Sequence, residues 1–364
     1  MKPVAARSRA PAKSEIQAIF AVKRPTGELV DRFRADLQDV WPLEDRTPQR
    51  GGTHLGLAVS GGADSLGLLA LAHAALPGRV VVASVDHRLR PESANEVAMV
   101  ASICRDLGIP SHCLGVDVAP GNLQTKARQA RYDAMLAAFA PSNITTIATA
   151  HHADDQAETL LMRLNRGAGL QGLAGVRPRS WYSATQSALE GMLVRPLLGW
   201  RRDELAQIVC DAGLHPARDP SNTDEHYDRV RIRRAIAEAE WLAPLAMARS
   251  ARHLAEAEKA VEEAVDNVHN RCVFKHDDGS VYYHWGHSRL VEIEVVRLIL
   301  QDFGATPERS AIARLADQLI AGQPASLGGV LVRRAMHQKD AATSVDAWHF
   351  KCEPTRKAGD GHVV

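Results

Sequence analysis

Residues Leu55 to Leu76 read LGLAVSGGADSLGLLALAHAAL, and this stretch decides the fold of the chain's N-terminal part. The apolar run 55–59 predicts a buried parallel strand, and the aliphatic segment after Ser65 predicts a covered helix. The loop between them contains the glycines Gly61 and Gly62, which allow positive φ and a close approach of backbone N–H groups to a ligand. Together with the positive end of the following helix, such a loop is suited to binding phosphate.

The polar residues of this loop indicate which phosphate compound it binds. The hydroxyl groups of Ser60 and Ser65 are further donors to phosphate oxygens, whereas the carboxylate of Asp64 repels phosphate unless a divalent cation such as Mg²⁺ lies between them. The loop therefore predicts a metal-bound nucleotide. The residues of this loop that are predicted to bind the nucleotide are Ser60, Gly61, Gly62, Ala63, Asp64 and Ser65.

The loop also has a purely structural alternative, a glycine turn that only joins a strand to a helix. The sequence of the loop also limits the class of nucleotide-binding protein to which the chain can belong. The loop has neither a Gly-Lys-Ser/Thr ending nor a G-x-G-x-x-G pattern. This argues against kinase-like transfer of the γ-phosphate and against a dinucleotide oxidoreductase.

The composition is that of an ordinary globular protein. The 364 residues are 45% hydrophobic and 24% charged with a formal net charge of +1, so they fit two domains and any nucleic-acid site must come from local basic clusters. No apolar run is long enough to span a bilayer. Five scattered cysteines without a C-x-x-C pair indicate neither a metal cluster nor a disulfide framework, and a cytoplasmic location is expected. The basic first residues lack an apolar segment and predict a tail rather than a secretory signal.

Strand-like and helix-like segments alternate after the loop. Further strands are predicted at 79–86, 111–118 and 144–150, each followed by a helix, and the first of these helices is expected to start at a capping box of Ser93 and Glu96. This alternation predicts an α/β fold with a doubly wound parallel sheet, whose ligands bind at the carboxyl ends of the strands. The predicted domains are a tail and accessory helix (1–50), an ATP-binding catalytic domain (51–234) and a mainly helical C-terminal domain (235–364).

Two further positions at the strand ends are suited to a nucleotide. Asp86 ends the second predicted strand, where it can bind a ribose or orient the following loop, although a solvated acid at a turn fits equally well. Arg128 and Arg131 lie three residues apart on one face of a predicted helix, so both can approach one polyanion as a phosphate clamp. A solvated charged face is the alternative for these arginines.

The segment 149–159 reads TAHHADDQAET and leads from the fourth strand into a helix. Asp155 and Glu158 are neighbours on one face of that helix. With His151 and Asp64 they can bind Mg²⁺, position a nucleophile or accept its proton. Helix capping explains one acid here, but not two histidines together with three acids. The H-E-x-x-H spacing of a zinc site is absent.

Arginines are concentrated near the end of the predicted catalytic domain. Arg195 lies in the segment VRPLL, and Arg229, Arg231, Arg233 and Arg234 form a basic stripe. Such a stripe is suited to an RNA backbone. A basic helix that packs on acids elsewhere in the protein is the alternative.

Taken in order, these motifs resemble the tRNA(Ile)-lysidine synthetase family of the ATP pyrophosphatase (PP-loop) superfamily, over about residues 55–234. The motifs are SGGADS, VDHRLRPES, KARQARY, TAHHADDQAETLLMRLNRGAGLQGL, VRPLL and the DPSN and YDRVRIR segments. The resemblance implies an adenine nucleotide alpha hydrolase-like fold and a cytoplasmic ligase. Such an enzyme uses ATP and Mg²⁺ to adenylate the wobble cytidine of an isoleucine tRNA with a CAU anticodon, and free L-lysine then displaces AMP. Val230 departs from the family pattern, which usually has asparagine there.

The resemblance also implies roles for individual residues. The catalytic residues would be Asp64, Arg128, His151, Asp155 and Glu158, the metal ligands Asp64 and Asp155, and Asp86 would join the loop in binding ATP. The residues that contact tRNA would be Arg131, Arg195, Arg229, Arg231 and Arg233, and the C-terminal domain would dock the tRNA. No protein partner and no membrane are expected.

Two alternatives stay open at this point. Another adenylating enzyme with the same loop, such as a tRNA thiolase or an amide synthetase, would share the fold, although the scattered cysteines count against a thiolase. A nucleotide-binding module without turnover is the second alternative. The presence of both Asp64 and Asp155 counts against it.

Overall fold

The computed structural model describes residues 22–42, 54–88, 92–118, 121, 123–185, 187–217, 228–338 and 342–353. The chain divides into two compact units, residues 1–255 and 256–364. The predicted N-terminal tail at 1–21 and the DPSN segment at 219–222 lie outside the described residues. None of the described helices is long and apolar enough to cross a membrane.

The first unit contains a six-stranded sheet with helices on both faces. Its strands are β1 (Leu55–Ala58), β2 (Val80–Asp86), β3 (Ser111–Gly115), β4 (Thr146–Ala148), β5 (Arg179–Ser183) and β6 (Glu190–Val194). Its helices are α1 (Gly27–Val40), α2 (Ala63–Ala75), α3 (Ser93–Asp106), α4 (Leu123–Phe139), α5 (Ala153–Asn165), α6 (Leu170–Leu173), α7 (Arg202–Asp211) and α8 (Asp228–Glu238). A 3₁₀ turn at Ala140–Ser142 follows α4.

The prediction of a doubly wound parallel sheet is confirmed. The strand order is β3-β2-β1-β4-β6-β5, and every neighbouring pair is parallel except β5 and β6 at the edge, which are antiparallel. The chain runs outward from β1 to β3 and then returns to place β4 on the other side of β1. The topological switch point therefore lies between β1 and β4, where folds of this kind bind their ligands.

Each face of the sheet has its own apolar core. On one face, the leucines of α2 are fully buried with the side chains of α1, α3 and α7. On the other face, Tyr132 and Phe139 of α4 pack on Val81 of β2 and Ile147 of β4. Helix α4 therefore packs across β1 on the strands at either side of it.

Close packing between the strands depends on Gly191 in β6. A Cβ atom at this position would lie 2.5 Å from Leu136 Cδ2 and 2.8 Å from the carbonyl oxygen of Thr145. Since the second of these is a backbone atom next to β4, we expect Gly191→Ala to lower the free energy of unfolding by about 1–3 kcal/mol, measured by urea denaturation. Gly199→Ala is the control, because no atom lies within 4 Å of its Cβ position. Equal stability of the two variants would contradict this prediction.

The second unit combines helices with an antiparallel sheet. The helix α9 (Pro244–Cys272) contains the boundary between the units, and α10 (Arg289–Asp302) and α11 (Arg309–Ile320) follow. The strands are β7 (Val273–Lys275), β8 (Val281–Tyr283), β9 (Ala325–Leu327), β10 (Val330–Gln338) and β11 (Ser344–Cys352), in the order β7-β8-β11-β10-β9. The sequence predicted a mainly helical domain here, and the structure shows beside its helices the strands β10 and β11, which have nine residues each. A domain boundary after residue 234 stays a prediction.

One face of this second sheet carries a cluster of histidines. His337 Nε2 lies 3.2 Å from His276 Nε2, and His337 Nδ1 lies 2.9 Å from His284 Nε2. Tyr282 stacks on His337 and on His349, with ring centroids 4.6 and 4.4 Å away. Burial lowers the pKa of both His337 and His349, because desolvation disfavours the charged imidazole.

We expect the second unit to lose stability as the pH falls below about 6.5, the pKa of an unperturbed histidine. His337 and His349 bind protons more weakly in the folded state than in the unfolded state. The stability that their neutral rings contribute is therefore complete above that pH and decreases below it. Thermal unfolding at a series of pH values measures this effect, and His349→Phe should reduce the pH dependence. The exposed His253 of α9 provides the control His253→Asn, and equal pH dependence in both variants would contradict the prediction.

Candidate active site

The loop after β1 has the backbone geometry of an anion-binding turn. Gly61 has a φ of +90°, and Gly62 is the N-cap residue of α2. A Cβ atom at Gly61 would lie 2.9 Å from Met99 Cε, so both the conformation and the available space favour glycine. The first N–H groups of α2 have no partners within the helix, and a helix N-terminus attracts anions.

The two serines of the loop are bonded to each other and to the backbone. Ser65 is buried, and its Oγ donates to the Gly62 carbonyl at 2.9 Å and accepts from the Ser60 N–H at 3.2 Å. Ser60 Oγ lies 3.3 Å from Ser65 Oγ and is on an exposed residue. In this structure Ser65 therefore braces the loop, and Ser60 presents the more accessible hydroxyl group.

His152 joins the loop to the start of α5. Its imidazole is fully buried, and Nε2 lies 3.4 Å from Asp64 Oδ2 and 3.5 Å from Asp155 Oδ2. Nδ1 lies 3.5 Å from Asp154 Oδ2. At these distances the contacts are ion pairs rather than short hydrogen bonds. Burial alone would lower the pKa of His152, but the surrounding carboxylates raise it to about 9, so the ring is positively charged at neutral pH.

Sequence reasoning selected His151 and missed His152. The sequence did contain a feature that could have identified His152, because the side chains of consecutive residues in extended backbone point to opposite sides. A pair of histidines at a strand end therefore places one ring on each side of the sheet edge. Which of the two rings meets the loop depends on the position of α2, and this is a tertiary contact.

Asp64 and Asp155, the predicted metal ligands, converge on the same nitrogen of His152. Burial alone would raise the pKa of Asp64, but the interaction with the positively charged ring of His152 outweighs it and holds that pKa below its ordinary value. Two carboxylates at a phosphate-binding loop are the donor type that Mg²⁺ prefers. The described residues contain no cluster of three or more His, Cys, Asp or Glu side chains able to hold a metal ion. The remaining ligands of Mg²⁺ would therefore be phosphate oxygens and water.

Glu158 is 1% exposed and is surrounded by arginines. Its carboxylate accepts from Arg229 Nε at 2.7 Å and from Arg233 Nε at 2.7 Å, and Arg202 Nη2 lies 3.5 Å away. Burial alone would raise the pKa of Glu158, but Arg233 and Arg229 hold it below its ordinary value. Arg229 Nη2 also donates to Asp155 Oδ1 at 3.0 Å.

Two residues predicted to contact tRNA, Arg229 and Arg233, are thus engaged by the acids of α5 in this structure. Arg231, in contrast, is on the exposed side of α8 and pairs with Asp228. The tRNA contacts of all three stay predictions. The sequence left two interpretations of the basic stripe open, an exposed basic surface and a basic helix that packs on acids. Helix α8 combines both, because one of its sides packs on the acids of α5 and the other is exposed.

Arg195 is buried, with 3% of its surface exposed. Its Nη1 donates to the Arg177 carbonyl at 2.6 Å and its Nη2 to Ser180 Oγ at 3.0 Å. Burial lowers the pKa of Arg195 to about 10. A contact with tRNA stays a prediction, and in the conformation observed the guanidinium is bonded inside the protein instead.

His151 follows β4 and is held in its neutral form. Its Nδ1 lies 2.8 Å from Thr149 Oγ1. Burial lowers the pKa of His151 to about 3, and although Asp155 acts in the opposite direction, the charges of Arg195 and Arg128 add to the lowering. A neutral imidazole has a lone pair with which it can accept a hydrogen bond or a proton.

The arginines on the α4 side of the sheet edge lack carboxylate partners. Arg128 lies over the ring of Tyr132, 5.0 Å from its centroid, and Arg131 Nε donates to His87 Nε2 at 3.2 Å. Among the described residues, no carboxylate pairs with Arg128, Arg131 or Arg195. The α5 side of the site is therefore charge-paired, whereas the α4 side keeps positive charge for an anionic ligand.

Asp86 orients the segment that follows β2. Its Oδ1 accepts from the Arg88 N–H at 2.7 Å and from the Ser93 hydroxyl, which leaves Oδ2 for other contacts. These bonds hold the pKa of Asp86 below its ordinary value. The sequence predicted Ser93 as the N-cap of α3, whereas α3 begins at Ser93 and its N-cap residue is Glu92. The Ser93 hydroxyl donates to Asp86.

Comparison with known proteins agrees with the fold and the loop. A family model described as a PP-loop domain matches residues 36–240, which is more than half of the chain. A solved structure of the U34-tRNA thiolase from Methanococcus maripaludis has a similar fold, with a TM-score of 0.50 and 15% identity over 63% of this chain and 80% of that chain. This likeness concerns the fold alone. The fold, the glycine loop and the family model define an ATP-using PP-loop domain.

Relatives over most of the chain give the narrower family. A tRNA(Ile)-lysidine synthase from Novosphingobium aromaticivorans is 42% identical over 329 residues, which are 90% of this chain and 94% of that protein. A tRNA(Ile)-lysidine synthase from Ruegeria pomeroyi is 39% identical over 84% of this chain and 72% of that protein. The chain belongs to the tRNA(Ile)-lysidine synthase family. The resemblance found in the sequence motifs is thereby confirmed.

Proposed function

We propose that this protein attaches free lysine to C2 of the wobble cytidine of an isoleucine tRNA with a CAU anticodon, using ATP. In the first step the cytidine O2 forms a bond to the α-phosphorus of ATP, and the bond to the β-phosphate oxygen breaks to release pyrophosphate. In the second step the lysine amine forms a bond to C2, the C2–O bond breaks, and AMP leaves with that oxygen. A base accepts the amine proton.

The observation that carries this proposal is the meeting of the glycine loop with the start of α5. His152 lies between Asp64 of the loop and Asp155 of α5, so the loop that is predicted to bind ATP is close to the predicted catalytic acids. We infer that the loop binds the β- and γ-phosphates, and that Asp64 and Asp155 hold Mg²⁺. When bound there, Mg²⁺ would neutralise phosphate charge as the pyrophosphate leaves.

The α4 side supports the adenylation step. Arg128, Arg131 and Arg195 bring positive charge without carboxylates of their own, and such charge stabilises an anionic transition state. His151 is neutral beside them, so it can bond to the cytidine or to the attacking amine without adding repulsion. We propose Arg128 and His151 as the residues on this side that contact the reacting groups.

A cavity beside Glu158 supports the use of an amino acid as second substrate. It has a volume of about 410 Å³, and its lining includes Asp154, Glu158, Arg202 and Arg233. Lysine carries two ammonium groups and one carboxylate, so a cavity with both carboxylates and guanidinium groups matches it in charge. We propose that lysine enters here, with its carboxylate at the arginines and its α-ammonium group at the acids.

Lysine incorporation and AMP release, measured together, test the proposed function. With ATP, Mg²⁺ and an isoleucine tRNA transcript containing CAU, we expect one lysine incorporated for each AMP formed. A transcript with uridine at the wobble position is the control and should accept no lysine. AMP release without lysine incorporation, or ATP binding without turnover, would contradict the proposal.

A further inference from the structure

His87 and Arg131 form a half-buried pair, in which an imidazole rather than a carboxylate accepts from the guanidinium. Arg131 Nε donates to His87 Nε2 at 3.2 Å, so Nε2 is the nitrogen without a proton and Nδ1 carries it. Burial and the charge of Arg131 lower the pKa of His87 to about 4, so this ring is neutral. The neutral ring of His87 therefore does not neutralise the positive charge of Arg131.

The surroundings of this pair contain little that would compensate the charge. Burial lowers the pKa of Arg131, and Arg128 adds to that effect, whereas only the neighbouring Tyr132 acts in the opposite direction. Asp86, the acid nearest in sequence to His87, uses Oδ1 for Arg88 and Ser93. A desolvated guanidinium normally binds a carboxylate or a phosphate. Among the described residues Arg131 has neither, and His87 Nδ1 is a buried donor without an acceptor.

The fold places this pair at the same edge of the sheet as the phosphate-binding loop, because β1 and β2 are parallel neighbours. His87 follows β2 and Arg131 lies on α4, which packs on β2 and β4 on either side of β1. Asp64 lies at the start of α2 and His152 at the start of α5. Arg131 lies on α4, so its charge is at a different position along the same sheet edge.

Cleavage of ATP between the α- and β-phosphates gives two anionic products. Pyrophosphate leaves, whereas the α-phosphate stays with AMP on the tRNA until lysine displaces it. A single loop that binds all three phosphates equally would hold the two products together rather than let one depart first.

We propose that Arg131, positioned by His87, is the subsite for the α-phosphate of the nucleotide, separate from the glycine loop that binds pyrophosphate. This inference rests on the proposed function. Arg131 keeps its Nη groups for the phosphate because its Nε is fixed by the imidazole. His87 is a positioning residue in this arrangement.

Equilibrium binding of AMP and of inorganic pyrophosphate, each measured with Mg²⁺ by calorimetry, tests the subsite without tRNA or lysine. Arg131→Met should weaken AMP binding by about 10- to 100-fold, the loss expected for a charged hydrogen bond, and leave pyrophosphate binding within about twofold. Retained pyrophosphate binding also shows that the variant is folded. Arg105→Met, at an exposed position of α3, is the matched control and should change neither affinity.

Two variants of His87 separate positioning from general damage. His87→Gln keeps an acceptor where Nε2 lies and should weaken AMP binding by less than about threefold, whereas His87→Asn is too short to reach Arg131 and should weaken it by about tenfold. Unchanged AMP binding in Arg131→Met, or equal losses for AMP and pyrophosphate, would overturn the subsite. If the wild-type protein bound neither ligand, the proposed function itself would fail.

Discussion

Replacing Asp64 with asparagine is expected to lower lysine incorporation by about a thousandfold or more. The substitution keeps the size of the side chain but removes the negative charge that lies 3.4 Å from His152 Nε2. It leaves the protonated imidazole of His152 beside the phosphate-binding loop with one carboxylate fewer, and it removes a ligand proposed for Mg²⁺. The measurement is the initial rate of AMP and lysidine formation at saturating ATP.

A charge-matched control shows whether this loss is specific to the site. Asp211→Asn removes a carboxylate from the end of α7, where Asp211 accepts a bond from Gln207. We expect it to retain full activity. Full activity of Asp64→Asn, or an equal loss in both variants, would rule out the role proposed for the loop carboxylate. Binding of tRNA, measured separately by filter retention, should be unchanged in Asp64→Asn.

Glu158→Gln is expected to lower the free energy of unfolding by about 3 kcal/mol, because it removes the charge of a buried carboxylate that pairs with arginines of α7 and α8. Arg229, Arg233 and Arg202 all converge on this carboxylate. Their side chains are partly exposed and can recover some hydration, so the expected loss is at the lower end of that for a broken buried ion pair. Chemical denaturation at neutral pH measures the difference.

The pH dependence of this difference has a defined sign. The pKa of Glu158 is lower in the folded protein than its ordinary value of 4.5. The stability it contributes is therefore complete above that value and is lost as the pH falls through the lowered folded-state pKa. Wild type and Glu158→Gln should become similar in stability in acid.

Glu238 provides the control for Glu158. Glu238 is on α8, where it pairs with Arg234, one turn away on the exposed side of that helix. Because such exposed pairs contribute only about 0.3–0.5 kcal/mol, Glu238→Gln should have a small effect at any pH. A loss as small in Glu158→Gln would show that the arginines around Glu158 do not depend on its charge.

The sequence predicted the elements around the site better than the contacts inside it. The start of α5 at Ala153 and the strand before the glycine loop follow from local patterns of apolar and turn residues. The pairing of Glu158 with Arg229 does not follow from local patterns, because Arg229 is 71 positions away in the chain. Likewise, the spacing of VRPLL does not reveal that Arg195 is buried, since burial depends on the β5–β6 edge that covers it.

By itself, the sequence determined the strands β1 to β4 and the helices that follow them, and hence that Asp64, Asp86 and the acids of α5 come to the carboxyl edge of one parallel sheet. Periodicity and turn chemistry act between near neighbours, so this information is local. Only the tertiary structure decided that His152 rather than His151 lies between the carboxylates, and that the α4 side keeps uncompensated positive charge. These outcomes depend on which side chains from distant segments share a low-dielectric interior, because charge pairing and burial are set by distance in space rather than along the chain.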